Sequence, residues 1–331
     1  MERFALAAAV VLGFALTAAL CSLFVPLRRV LERREQQQQP VQSEQPRPAP
    51  LRAPLWGGLC AAAGTVAAVG VGWLAACVGQ PELLGSEGRL MTRLLTALAG
   101  SLAFGAVGLA EDLARMRSPA ALGLRRDVRL LLEVLAAAFV LLLLRAAGCL
   151  PRGLGVPGAG YVLLGSAVPF LWAVLMVTLA ECARIAERDE GTVCGAAFAA
   201  MLALMMVEAG LGVSGLAVLP GALAGALVAL GLWAFPPAKL GAGCCGSLLA
   251  AGAIGCIPLS LDMTSLTVPL ALPFWAAGGL LAAQLLCAKR TGKPLRCWVK
   301  KHKMSPETVF LCSFALSAVG YVLALALLRW C

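Results

Sequence analysis

The twelve-residue stretch AECARIAERDEG, residues 180–191, holds four acids and two arginines directly after a long apolar run. Glu181 and Arg184 share one helical face and Glu187 and Glu190 share another, because spacings of three and four residues return to the same side of a helix. Glu187 and Glu190 can therefore hold a divalent cation against a pyrophosphate. The alternative is a set of surface ion pairs, each contributing about 0.3 kcal/mol, and spacing alone favours it.

Two adjacent carboxylates, Glu111 and Asp112, end another apolar run. Arg115 follows them directly, and Arg129 lies at the start of the next apolar run. Carboxylates beside arginines can bind a divalent cation, or act as acid and base on a phosphate substrate. Composition alone favours the simpler interpretation, a helix end with balancing charges.

A glycine-rich turn, PPAKLGAGCCGSLLAAG at 236–252, leads into an apolar run. Around Gly243 such a turn can let backbone amides and a helix N-terminus approach a phosphate. Close packing of membrane helices requires the same small residues. The sequence does not decide between these two interpretations.

The stretch KRTGKPLRCWVKKHKMSPE, 289–307, contains seven basic residues and the only histidine of the chain. His302 lies between Lys301 and Lys303, so the stretch can clamp phosphates with His302 as donor or acid. A basic anchor that touches anionic lipid would have the same composition, and taken alone the stretch favours that anchor.

The elements that must position these residues are membrane helices. Hydrophobic residues make up 60% of the 331, charged residues 13%, and the mean hydropathy is +0.88, values that exclude an ordinary soluble domain. We predict an all-α integral membrane protein with about ten transmembrane helices. It forms one polytopic domain over 1–331, with a flexible Gln/Pro-rich loop at 26–53. The predicted helices lie near 5–25, 55–77, 92–110, 128–148, 160–180, 192–208, 213–234, 241–258, 266–287 and 308–328.

The basic residues predict the orientation of the chain. Most of the 27 Lys and Arg fall in alternate loops, and basic residues concentrate on the cytoplasmic side of membrane proteins. We expect the loops with the four stretches above to face the cytoplasm of a bacterial-type plasma membrane, and both termini to lie outside. This topology and contact with anionic lipid explain most of the net charge of +10 without a nucleic-acid partner.

Two other site classes are not predicted. The 13 cysteines show no C-x-x-C pair, and most lie in apolar runs, as Cys21 and Cys60 do, where a thiol behaves as a small hydrophobe. This pattern argues against a disulfide framework or a cysteine metal site. A transporter or channel is disfavoured because the predicted spans carry almost no buried charge, with Glu133 and Glu208 near helix ends.

In their order along the chain, the four stretches resemble the phospho-N-acetylmuramoyl-pentapeptide transferases (MraY). They also resemble the wider polyprenyl-phosphate N-acetylhexosamine-1-phosphate transferases, the glycosyltransferase 4 family. GLAEDLAR resembles the motif D-D-x-x-K, with Glu111 and Asp112 at the acids and Arg115 at the lysine. LGLRRDVRLLLE, which contains Arg129, is similar to L-G-L-x-x-x-x-K-L-L-x-Q, and RAPLWGGL to G-T-P-T-M-G-G.

The remaining motifs carry substitutions. ECARIAERDEG resembles N-x-x-N-L-x-D-G-x-D-G, with Glu and Arg at the asparagines and Glu187 and Glu190 at the aspartates. PAKLGAGCCGSL resembles P-A-x-x-F-M-G-D-x-G-S-L, with Cys244 in place of the acid. WVKKHK falls on A-P-x-H-H-H and keeps only His302. The resemblance therefore implies a degenerate member of the family.

The resemblance also implies a cytoplasm-facing cleft at membrane level, Mg²⁺, and two substrates, a UDP-sugar and polyprenyl phosphate. The implied reaction transfers a phospho-N-acetylhexosamine, or phospho-N-acetylmuramoyl-pentapeptide, to the lipid in peptidoglycan precursor synthesis, in a chain that by analogy is a homodimer. The implied catalytic residues are Glu111, Asp112, Glu187, Glu190 and His302, with Glu187 and Glu190 also as metal ligands. The implied substrate-binding residues are Arg115, Arg129, Glu181, Arg184, Gly243, Lys301 and Lys303.

Each substitution weakens the implied metal chemistry. Glutamate in place of aspartate lengthens the arm, and a misplacement of about 1 Å can lower a rate a hundredfold. Arg184 would repel Mg²⁺ and pair with Glu181 or Glu187, and the Cys244 thiol is a poor magnesium ligand. Two hypotheses follow: a transferase with an altered site, or an inactive relative that binds lipid carrier, nucleotide sugar or an envelope protein.

Overall fold

The computed structural model describes residues 2–38, 56–79, 89–117, 123–156, 160–163, 165–187, 191–235, 238–291 and 306–330. These ranges form ten long helices, one β-hairpin and a short helical turn. The long helices are α1 (Glu2–Gln38), α2 (Gly57–Gly79), α3 (Arg89–Arg117), α4 (Arg126–Ala146), α5 (Ala167–Ala186), α6 (Thr192–Gly210), α7 (Ser214–Ala234), α8 (Gly243–Ser260), α10 (Leu272–Thr291) and α11 (Pro306–Trp330). Between α8 and α10, a 3₁₀ turn (Thr264–Leu266) leads into the four-residue α9 (Thr267–Leu270).

Eight of these helices are long and apolar enough to cross a membrane, judged over the described residues. The all-α integral membrane fold is thus confirmed, whereas the predicted number of about ten spans is not. The two helices outside the eight are α4 and α10. The charged residues of α4 are spread from one end of the helix to the other: Arg126, Asp127, Arg129, Glu133 and Arg145.

Two predicted boundaries were wrong. Helix α1 continues through Pro26 to Gln38, so the first part of the predicted loop 26–53 is helical, and the Arg, Glu and Gln residues there are good helix formers. The rest of that loop lies outside the described residues. The predicted helix 160–180 begins only at Ala167, because Gly160–Leu163 forms a strand that pairs antiparallel with Gly153–Val156.

The β-hairpin is hydrogen-bonded to a residue just beyond the C-terminal end of α8. The Tyr161 hydroxyl donates to the Asp262 carboxylate, 3.0 Å from each oxygen. Asp262 lies just beyond α8 and has a positive φ of 63°, a conformation that aspartate tolerates better than most residues. The connection between α4 and α5 is therefore held against the end of α8.

Helix α8 is the centre of the bundle, because every one of its residues is buried. Helices α2, α3, α5 and α6 pack around it. Glycines permit the close approach: a Cβ on Gly108 of α3 would collide with the Cys244 carbonyl, and one on Gly58 of α2 with the Gly246 amide. The small residues of the 236–252 stretch thus serve helix packing, one of the two interpretations left open by the sequence.

The packing of α3 on α8 can be tested with two glycines. We expect Gly108→Ala to lower the free energy of unfolding by about 1–3 kcal/mol, because the new methyl group has no space. Gly70→Ala, where nothing lies within 4 Å of the added Cβ, is the matched control and should leave stability unchanged or slightly higher. The measurement is the unfolding midpoint in detergent micelles, and equal midpoints for both variants would contradict the close contact.

Candidate functional site

Charged side chains from three helices meet at one end of the bundle, beside the start of α8. The predicted residues Glu111, Asp112 and Arg115 come from the end of α3, and Arg129 from the first turns of α4. Glu181 and Arg184 lie in the last turns of α5, and Glu187 follows its last residue. We call these seven residues, together with Glu133 of α4, the charged cluster. Glu190, His302, Lys301 and Lys303 lie outside the described residues.

Asp112 caps the N-terminus of α8. Its Oδ1 accepts a hydrogen bond from the Cys244 amide at 3.0 Å, and its Oδ2 accepts one from the Cys245 amide at 2.8 Å. Asp112 is only 1% exposed, so these bonds satisfy two helix-end amides that water cannot reach. Gly243 supplies the positive φ of 67° at which α8 begins. The two amides beside Gly243 are consequently engaged by Asp112.

Glu111, the other acid of the pair, contacts two arginines. Its Oε1 accepts a hydrogen bond from Arg115 Nη2 at 2.7 Å and lies 3.6 Å from Arg129 Nη1. Its Oε2 is buried and has no hydrogen-bond partner among the described residues. One carboxylate oxygen of Glu111 therefore remains available inside the cluster.

Arg129 is the centre of the charges. Its Nε donates to Glu181 Oε1 at 2.9 Å and lies 3.9 Å from Glu133 Oε1, while its Nη1 faces Glu111. The guanidinium thus joins acids from three different helices, although only 8% of its side chain is exposed. Glu181 is held from the other side by Arg184, one turn along α5. These pairs are more buried than the surface ion pairs that spacing alone favoured.

Glu187 lies at the opening of the cluster, where 15% of its side chain is exposed. Its Oε2 is 4.0 Å from Arg115 Nη1, which is equally far from Asp112 Oδ1. Arg115 is therefore a shared partner of three acids. The predicted second ligand, Glu190, is not described.

Glu133 was missed as a site residue. It is fully buried on the second turn of α4, and neither carboxylate oxygen has a hydrogen-bond partner among the described residues. Glu208 near the end of α6 is also buried, so the prediction that the spans carry almost no buried charge was wrong. The signal for Glu133 was its spacing of four from Arg129 within an apolar run, which places both on one helical face.

The described residues do not form a magnesium site. Magnesium requires oxygen ligands in near-octahedral geometry, but Asp112 directs both oxygens at amides and residue 244 provides a thiol. Within the described part of the chain, no group of three or more His, Cys, Asp or Glu side chains could hold a metal ion. Three guanidinium groups lie among the acids instead.

A family model covers these same elements. The model of glycosyl transferase family 4 matches residues 94–262, just over half of the chain. The match runs from α3 to Asp262, the residue that accepts the hydrogen bond of Tyr161. The chain belongs to this family of phospho-sugar transferases. The match includes the whole charged cluster and Cys244, whereas the stretch around His302 follows it. No curated protein matches the chain closely enough to count as a relative.

The cap on α8 can be tested by changing one atom. In Asp112→Asn the side chain loses an acceptor and points an N–H group at an amide N–H, so we expect a loss of about 1.5–3 kcal/mol in unfolding free energy. Asp127→Asn, at an exposed position in the first turn of α4, is the control for a lost charge. Equal unfolding midpoints of the two variants would show that Asp112 does not carry the cap.

The role of Arg129 can be separated from that of Glu133. Arg129→Met leaves buried carboxylates without a counter-charge, so we expect it to lower the unfolding free energy by about 3–5 kcal/mol. Glu133→Gln removes a buried charge that makes no hydrogen bond within the described structure, and should leave the unfolding midpoint unchanged or raised. A large loss of stability in Glu133→Gln would contradict this arrangement of charges.

Proposed function

We propose that this member of glycosyl transferase family 4 binds a phosphate-bearing ligand in its charged cleft without performing metal-dependent transfer. The ligand is polyprenyl phosphate or a UDP-N-acetylhexosamine, as the family resemblance implies. One observation carries the proposal: each carboxylate of the cluster lies beside an arginine or a backbone amide. An arginine-filled site favours an anion over a divalent cation.

The three arginines divide into two roles. Arg129 is buried and surrounded by acids, so it holds helices together. The side chains of Arg115 and Arg184 are 24% and 15% exposed and can turn N–H groups toward the opening. Arg184 Nε is buried without a hydrogen-bond partner in the described structure. We assign Arg115 and Arg184 to the phosphate, because a planar guanidinium binds phosphate through two parallel hydrogen bonds.

The position of the cleft suits a ligand with a lipid tail. The ends of α3 and α5 that form it are the ends of apolar spans, so a phosphate there lies at the membrane surface while its tail stays in the bilayer. On the distribution of Lys and Arg, we propose that this surface is the cytoplasmic face of a bacterial-type plasma membrane. Lys301, His302 and Lys303 would then extend the basic surface around the phosphate.

An active transferase is the second candidate function. Glu111 Oε2 lacks a partner among the described residues and Glu187 is at the opening, so two carboxylates remain that could position a cation together with Glu190. The reaction would then be the transfer of phospho-N-acetylhexosamine, or phospho-N-acetylmuramoyl-pentapeptide, to polyprenyl phosphate. The loop with His302 would clamp the phosphates in that case.

One pair of assays on protein in lipid nanodiscs separates the two functions. We expect undecaprenyl phosphate or UDP-N-acetylglucosamine to bind with a Kd that changes less than about twofold between Mg²⁺ and EDTA, because arginines hold the phosphate. We expect no lipid-diphosphate sugar when both ligands are present. Magnesium-dependent product would establish the transferase, and absence of binding to either ligand would refute the proposal.

The arginine assignment has its own test. Arg115→Ala and Arg184→Ala should each weaken binding of the ligand about tenfold, or about 1.4 kcal/mol. Arg126→Ala, at the exposed start of α4, removes the same charge outside the cluster and should leave the Kd nearly unchanged. Equal effects of all three variants would indicate attraction to net charge alone.

Restoring one acid should not restore turnover. In Cys244→Asp the new carboxylate would stand beside Asp112 at the start of α8, and Arg115 and Arg184 would remain in the cluster. We therefore expect no robust magnesium-dependent transfer by this variant in the nanodisc assay. Strong turnover in the single variant would show that the missing acid, and not the arginines, limits the chemistry.

A further inference from the structure

Helices α1 and α2 run antiparallel and meet along a ladder of paired residues. Near one end Ala9 packs on Gly72, and two turns further Thr17 packs on Gly64. A Cβ on Gly64 would lie 3.1 Å from the Thr17 amide nitrogen and 3.3 Å from its Cα, so the two backbones nearly touch there. Toward the cleft the ladder ends with Phe24 stacked on Trp56, with ring centroids 6.0 Å apart.

Between the Thr17–Gly64 contact and the Phe24–Trp56 contact, the facing residues are two cysteines. Four residues beyond Thr17 and four residues before Gly64, the ladder brings Cys21 opposite Cys60, because each step of four residues is about one helical turn. The two thiols therefore interact directly with each other. They are 0% and 1% exposed, lie in one apolar cluster, and are free thiols in this structure. Packing on both sides thus fixes a pair of thiols in contact.

We propose that Cys21 and Cys60 form a reversible disulfide when a quinone dissolved in the bilayer oxidises them. Each thiol loses one proton and one electron, a sulfur–sulfur bond forms, and the quinone takes up two protons and two electrons to become a hydroquinone. A disulfide needs a short distance between its two Cα atoms, and one turn away the same two helices come so close that a Cβ on Gly64 would lie 3.3 Å from the Thr17 Cα. The product is neutral, so an apolar pocket accommodates it.

The surroundings select the oxidant. Residues around the pair, among them Leu20, Phe24, Trp56 and Leu230, are apolar and close the thiols off from water. A charged peptide disulfide would lose its hydration in such an apolar pocket, whereas an uncharged quinone from the bilayer would not. Cys194 of α6 belongs to the same apolar cluster. It is therefore the thiol that could compete with Cys60 for Cys21.

The disulfide would join α1 to the first turn of α2, which packs against the start of α8 beside the cleft. Cys60 lies in the first turn of α2, where the Gly57 amide donates to the Gly241 carbonyl at 3.2 Å and Gly58 packs on Gly246. These contacts hold the start of α8, whose next amides bind Asp112. A bond between Cys21 and Cys60 therefore ties α1 to the turn that supports the cap of α8. The redox state of the membrane would thereby act on the charged cleft.

The test uses the full chain in nanodiscs, with a specific protease site inserted among residues 39–55, between the two cysteines. Duroquinone is the oxidant, because all its ring carbons are substituted and it cannot add to thiols. After oxidation and cleavage, we expect most of the wild-type chain to stay one band on a non-reducing gel and to separate after reduction. Separate fragments from oxidised wild-type protein would overturn the proposal.

Matched variants identify the pair. Cys21→Ser and Cys60→Ser should each abolish the linked band, whereas Cys77→Ser, at the other end of α2, and Cys194→Ser should keep it. A linked band that persists in Cys60→Ser would overturn the assignment and point to Cys194. Mass spectrometry of the oxidised wild-type chain gives an independent result that does not depend on the folding of any variant. A peptide joining Cys21 to Cys60 supports the proposal, and its absence contradicts it.

Discussion

A helix that is buried along its whole length cannot leave its first amides to water, and this constraint governs the structure. Helix α8 meets it with a carboxylate from another helix, since Asp112 binds the amides of Cys244 and Cys245. Glycines on α2 and α3 allow the backbones to come close enough. Both carboxylate oxygens of Asp112, one acid of the predicted Glu111–Asp112 pair, are used as hydrogen-bond acceptors in this cap. The residue that the family motif presents as a site acid is therefore also a part of the scaffold.

The remaining charges follow from the position of that cap. Glu111 is adjacent to Asp112 in sequence and therefore lies beside the capped helix end, in surroundings where an unpaired charge is costly. Arginines from α3, α4 and α5 provide the counter-charges, and Arg129 does so for three helices at once. In this member of a phospho-sugar transferase family the charged cluster is thus a set of arginine-bound carboxylates. Such a site is poor for a hard cation and well suited to an anion.

Hydropathy and motif order were enough to predict the helical membrane fold and the meeting of Glu111, Asp112, Arg129, Glu181 and Arg184. They could not predict the partners. The hydrogen-bond partners of Asp112 lie 132 and 133 residues further along the chain. They are backbone amides, which every residue except proline has, so the residue types do not reveal them. The hairpin was hidden because Tyr161, Val162 and Leu163 are as apolar as a span, and only their pairing with the preceding strand distinguishes them. The ladder between α1 and α2 likewise depends on register, which composition does not report.

The distance along the chain between Asp112 and its partners has a consequence for biogenesis. Synthesis places α3 in the bilayer long before Cys244 and Cys245 emerge, so the carboxylate must wait through four further helices without its amides. Arg115, one turn away, is the counter-ion that can accompany it during this interval. Arg115, which faces the cleft in the finished protein, would thus first serve as the counter-ion of Asp112 in the nascent chain. Insertion of α8 then supplies the two amides to Asp112, while Arg115 keeps its hydrogen bond to Glu111.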